Sequence, residues 1–132
     1  MGGDEVYHFS TKLMMKDAKT GGGWCWHQDY GYYYFNGNLF PEMATVFIAI
    51  DQSNKENGCL KIIKGSHKIG RIDHFPEGDQ MMADNKRVKQ ALTVLDLEHM
   101  EMSPGDALFF DCNVLHTSDK NTSNNRRWCL AI

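Results

Sequence analysis

Apolar residues in this chain fall in short runs, several of them alternating with polar positions, and clusters of Gly, Pro, Asn and Asp separate the runs. That is the pattern of strand, turn, strand. Thr45 to Ile50 (TVFIAI) is the clearest strand, rich in β-branched and aromatic residues. Val6 to Phe9 and Lys12 to Met15 read as two short strands, and Gly21-Gly22-Gly23 breaks the chain before a third, Trp24 to Asp29. Tyr30 to Pro41, rich in Tyr, Gly and Asn, reads as a loop. Glu56-Asn57-Gly58 is a turn signal leading into a strand over Cys59 to Ile63, which Gly65-Ser66-His67 ends. Arg71 to Gln90 is polar and irregular, and Met82 to Leu92 fits one short helix. Strand character returns at Ala91 to Leu97, at Ala107 to Phe110 after the Pro104-Gly105-Asp106 turn, at Val114 to His116 and at Arg127 to Ile132. Short strands at this spacing predict a mainly β sandwich or barrel. A strand that stops at Leu130-Ala131-Ile132 with no polar terminus predicts that the chain is a fragment, because an interior strand cut there leaves ladder partners unpaired.

The 132 residues fit one domain with one core, so residues 1–132 are expected to form a single unit. A net charge of −3 with dispersed Lys61, Lys64, Lys68 and Arg71 argues against a nucleic-acid partner. No apolar run approaches the roughly 20 residues of a membrane span. The N-terminal MGGDEVYHFS lacks the basic and apolar regions of a signal peptide, so a cytoplasmic location is expected. Cys25, Cys59, Cys112 and Cys129 form no C-x-x-C pair and are expected to be reduced thiols.

Candidate chemistry begins at Trp24-Cys25-Trp26-His27-Gln28-Asp29. In an extended segment residues i and i+2 share a side, so His27 and Asp29 can present an imidazole and a carboxylate to one metal ion. A further histidine would complete the 2-His-1-carboxylate face of non-haem Fe(II) oxygenases, which leaves coordination positions open. His8, His67, His74, His99 and His116 are the candidates. His116 follows a turn and an apolar strand, which places it at a barrel mouth, whereas His67 sits in a turn and His99 lies between Glu98 and Met100. Arg126 and Arg127 follow ten and eleven residues later. A guanidinium grips a carboxylate with two parallel hydrogen bonds, and one arginine of the pair should face inward.

In this order and spacing, four stretches resemble the phytanoyl-CoA dioxygenase family of Fe(II)- and 2-oxoglutarate-dependent oxygenases. They are Trp26-His27-Gln28-Asp29; Glu56-Asn57-Gly58-Cys59-Leu60 with Lys64-Gly65-Ser66-His67; Pro104-Gly105-Asp106 with Phe109-Phe110; and His116-Thr117-Ser118 with Asn121 and Arg127. The resemblance implies a double-stranded β-helix, or jelly roll, with Fe(II) held by His27, Asp29 and His116. It implies 2-oxoglutarate as cosubstrate, its far carboxylate on Arg127 with Ser118 as a hydroxyl partner, and Lys12 and Phe47 lining that pocket. The implied reaction uses O2 to hydroxylate a small organic molecule while 2-oxoglutarate is decarboxylated to succinate. Members of the family are usually longer, so N- and C-terminal parts are expected to be missing. The resemblance says nothing of oligomeric state.

Two other readings fit parts of the same residues. Cys25-x-His27 with Cys112-x3-His116 supplies two sulfurs and two nitrogens, the set of a structural zinc site. A jelly roll that binds metal or ligand without turnover is the other. The aromatic stretch Tyr30 to Phe35 is a candidate lining for a substrate pocket.

Overall fold

The computed structural model describes residues 5–132. Its frame is two four-stranded antiparallel sheets. The first orders β1 (Lys12–Lys16), β10 (Arg127–Ala131), β3 (Ala44–Ala49) and β8 (Ala107–Asp111). The second orders β2 (Trp24–His27), β9 (His116–Ser118), β4 (Leu60–Ile63) and β7 (Leu97–Met100). Every neighbouring pair in both sheets joins strands remote in sequence, as a jelly roll requires. The main core lies between the sheets and is built from Phe47, Ala49, Leu60, Met102, Phe110, Val114 and Cys129.

A hairpin of β5 (His74–Glu77) and β6 (Gln80–Ala83) packs along β2. The helix α2 (Asn85–Val94) closes the other face of the second sheet. Its Val88 and Ala91 meet Ile63, Ile72, Ala83 and Leu115 in a second apolar cluster. Each fully buried aliphatic side chain there contributes roughly 1.5–3 kcal/mol, enough to hold a ten-residue helix that isolated peptides of that length cannot sustain. Asp84 starts it, its carboxylate accepting the Arg87 N–H at 2.8 Å.

Several sequence expectations are corrected. No strand forms over 6–9. Val6, Tyr7 and Phe9 are exposed, and the Phe9 ring packs edge-on against Tyr33 at 5.1 Å. The Trp24 strand stops at His27, and Tyr30 lies not in a loop but in α1 (Asp29–Phe35), whose first residue is Asp29. The helix expected at Met82 begins at Asn85 and runs through Val94, so the strand expected from Ala91 forms only at Leu97. The irregular stretch before it contains the β5–β6 hairpin. His116 opens β9 instead of ending a strand from Val114, because Val114 N–H closes a turn onto the Asp111 carbonyl.

Candidate metal centre

The backbone brings three acceptor atoms together at one end of the barrel. His27 ends β2 and His116 begins β9, and the two are paired across the ladder. Asp29, one turn of chain further, enters α1 and swings its carboxylate back toward both rings. Asp29 Oδ1 lies 3.7 Å from His27 Nε2 and 3.6 Å from His116 Nε2. The ligand atoms of the three residues all fall within 4.8 Å of one another. These separations are too long for hydrogen bonds.

The tautomers are set from behind. His27 Nδ1–H donates to the Cys25 carbonyl at 2.8 Å, and His116 Nδ1–H donates to the Val114 carbonyl at 3.0 Å. A carbonyl only accepts, so each imidazole turns the lone pair of Nε2 toward the centre. Thr45 Oγ1–H donates to Asp29 Oδ2 at 2.5 Å, which leaves Oδ1 for the centre. Three acceptor-only atoms thus converge with no donor among them, an arrangement that a cation resolves. Each is oriented by a second hydrogen bond, the usual support of a metal ligand. Burial, and then the neighbouring His116, push the His27 imidazole well below its ordinary pKa, so it stays neutral and able to ligate.

The cysteines take no part. Among the described residues the converging group contains Asp29 and no sulfur. Cys112 is buried, donates to the Pro41 carbonyl at 3.4 Å, and burial pushes its thiol up to about 11. All four cysteines are free thiols.

Two buried cations, Arg127 and Lys16, pair across the β1–β10 ladder, and Lys16 reaches Ser118 on the strand that His116 begins. Arg127 is 1% exposed, although the adjacent Arg126 is exposed and pairs with Asp51 at 3.1 Å. The inward arginine is therefore Arg127. Its Nη1 reaches Cys129 Sγ at 3.0 Å and its Nη2 donates to the Gly58 carbonyl at 2.8 Å. That carbonyl is presented by the Asn57-Gly58 turn, where Gly58 has φ +77°. Arg127 Nε has no hydrogen-bond partner among the described residues. Phe47 packs its ring 5.7 Å from the guanidinium carbon.

Lys16 faces Arg127 across the β1–β10 ladder and is 3% exposed. Its Nζ donates to Ser118 Oγ at 2.9 Å and to the Asp119 carbonyl. Ser118 thus meets Lys16 directly. Burial, and then the Arg127 charge, push Lys16 down to about 8. Lys12, four residues back on the same face of β1, is exposed and holds its Nζ 4.3 Å over the Trp24 ring. Sequence reading named Lys12 and passed over Lys16. Strand alternation puts both on one face, and only the pairing with Arg127 tells them apart.

The family model described as phytanoyl-CoA dioxygenase matches residues 3–129. The chain belongs to the phytanoyl-CoA dioxygenase family. Among curated members, it is 36% identical over 132 residues to a methylphosphonate hydroxylase of Gimesia maris, covering 98% of this chain and 45% of that protein. It is 25% identical over 146 residues to an L-proline trans-4-hydroxylase of Streptomyces griseoviridis, covering 98% and 54%. Among solved structures, EctD from S. alaskensis with 2-oxoglutarate and 5-hydroxyectoine superposes with a TM-score of 0.84. That match has 22% identity and covers 98% of this chain and 44% of the other, a likeness of fold. The chain spans about half the length of the curated relatives it matches. Among the described residues no helix is long and apolar enough to cross a membrane.

Proposed function

We propose that this chain forms the catalytic barrel of an Fe(II)- and 2-oxoglutarate-dependent dioxygenase that hydroxylates a small organic molecule. His27, Asp29 and His116 are its iron ligands, and Arg127, Lys16 and Ser118 receive 2-oxoglutarate, with Phe47 forming an apolar wall. One observation carries the reading. Three acceptor-only atoms converge beside two buried cations that no acidic side chain pairs among the described residues. A cation fits the first and a carboxylate fits the second.

With cosubstrate and O2 bound, iron supplies the oxidising chemistry that couples hydroxylation to release of CO2 and succinate. The chain's own residues place and shield. His27 and His116 offer their Nε2 atoms, their rings held by the Cys25 and Val114 carbonyls. Asp29 supplies the anionic ligand, steadied by Thr45. Arg127 holds the distal carboxylate through Nε and the edge that Gly58 and Cys129 leave free. Lys16 adds a second charge, and Ser118 fixes where that charge sits. Phe47 and Phe110, the latter 5.0 Å from the His116 ring, would keep water from the core side of that ring.

The relatives named above act on small molecules by their names, which supports the same substrate class here. The test is 2-oxoglutarate turnover, followed as succinate, in protein carrying His27→Ala or Asp29→Ala. Either substitution is expected to abolish turnover. Undiminished turnover in a folded variant would sink the assignment of that ligand.

A further inference from the structure

The residue between the first two ligands is a fully buried polar side chain. Gln28 is 0% exposed, and its side-chain amide is fully engaged. Nε2 donates to the Gly70 carbonyl and to the Asn113 carbonyl, both at 2.8 Å, and Oε1 accepts the Ile72 N–H at 2.8 Å. Its backbone N–H donates to His74 Nε2 at 2.9 Å, and His74 Nδ1–H donates in turn to the Ile72 carbonyl at 2.9 Å. One residue therefore ties the 27–29 segment to two others, 70–74 and 113–116.

The second of those segments carries the third ligand. Asn113 lies three residues before His116, and Val114 is the residue whose carbonyl locks the His116 ring. The strand ladder alone leaves this spacing loose. β2 and β9 match only at Trp24 with Ser118 and at His27 with His116, and the register shifts between those pairs. A shifted two-point ladder lets the chain slide or bend where metal geometry tolerates little. We infer that Gln28 is a positioning residue, which fixes the distance between the His27–Asp29 pair and His116 through its bond to Asn113. This rests on the metal assignment proposed above and extends it to a residue that touches neither metal nor substrate.

The test is Mn(II) affinity of the full chain, measured by electron paramagnetic resonance without cosubstrate, alongside thermal unfolding of the metal-free protein. Gln28→Met keeps the length of the side chain and removes all three of its hydrogen bonds. Gln28→Glu keeps the shape and the acceptor but removes both donors. Gln80→Met is the control. Gln80 holds the backbone at Cys25 and Gly23 and makes no hydrogen bond to residues 113–116. Both Gln28 variants are expected to lose roughly 10- to 100-fold in Mn(II) affinity while Gln80→Met stays within about two-fold.

A merely structural role would lower the melting temperature and leave the affinity of the folded fraction unchanged, and that result overturns the inference. It is equally overturned if neither Gln28 variant folds where Gln80→Met does, since Gln28 would then be a folding residue. If the unsubstituted protein binds no Mn(II), Fe(II) or Co(II), the failure belongs to the metal assignment and the inference falls with it.

Discussion

Arg127→Met separates a residue kept for a ligand from one kept for the fold. A guanidinium taken out of water costs several kcal/mol after relaxation. Against that, Arg127 makes one bond to the Gly58 carbonyl, one weak bond to Cys129 sulfur, and none from Nε. Hydrogen bonds to charged groups contribute roughly 1.5–3 kcal/mol each, so in the ligand-free protein the charge comes close to break-even at best. Its neighbour Lys16 adds repulsion. Methionine matches the length of the stem and adapts to irregular space.

The ligand-free variant is therefore expected to be as stable as the unsubstituted protein, or more stable by about 1–3 kcal/mol. Binding of a carboxylate should move the other way. Removing one partner of a buried, hydrogen-bonded charge pair costs about 2–5 kcal/mol, which is about 30- to 5,000-fold in Kd. Urea unfolding of the metal-free protein gives the first quantity. Calorimetric titration of 2-oxoglutarate into Mn(II)-loaded protein gives the second. A variant destabilised by several kcal/mol would show that Arg127 holds the barrel together for its own sake. An unchanged Kd would show that the cosubstrate carboxylate sits elsewhere.

Other outcomes follow from the same geometry. Lys16 has a native pKa of about 8 against an ordinary 10.5. Between those values the unfolded chain binds more protons than the folded one, so stability rises with pH there, and below about 8 the cost of the buried charge is fully present. Metal-free protein should thus gain stability over Lys16→Met between pH 8 and pH 9 in paired urea titrations. A flat difference contradicts the buried charge. The raised thiols of Cys59, Cys112 and Cys129 act in the opposite sense at higher pH, so the comparison stops at pH 9. Gly31→Ala puts a methyl group inside the His74 ring, whose two nitrogens are both bonded. It should destabilise by at least about 1–3 kcal/mol despite alanine's helix propensity, and His74→Ala in the same chain should relieve most of the clash; no relief would place the cost elsewhere.

The strand frame was readable because its residues carry their own pattern. Lys12 to Met15, Thr45 to Ile50 and Arg127 to Ile132 each became a strand near its expected bounds. The first helix was hidden because Tyr, Gly and Phe are poor or indifferent helix formers. What holds it is tertiary: Tyr30 N–H donates to the Cys112 carbonyl, and Gly31 makes room for His74. The pairing of His27 with Asp29 rested on a partly wrong premise. His27 and Asp29 do not share a strand face. Asp29 turns into a helix and reaches the same point from another direction. The supports of the site, Thr45, Gln28 and Lys16, all lie far in sequence from the groups they meet, although Gln28 sits between His27 and Asp29. No local spacing distinguishes them from ordinary strand and turn residues. The fate of Arg126 and Arg127 was half legible: alternation says that one faces inward, and the Lys16–Arg127 register decides which.

One end of this barrel is proposed to hold Fe(II) and 2-oxoglutarate together. Anaerobic titration of the chain with Fe(II) and then 2-oxoglutarate tests it most directly. The account predicts a visible metal-to-ligand charge-transfer band that saturates with one cosubstrate per chain, disappears in His116→Ala, and weakens sharply in Arg127→Met. A folded protein that develops no band, or that binds zinc tightly and takes up no 2-oxoglutarate, would contradict it.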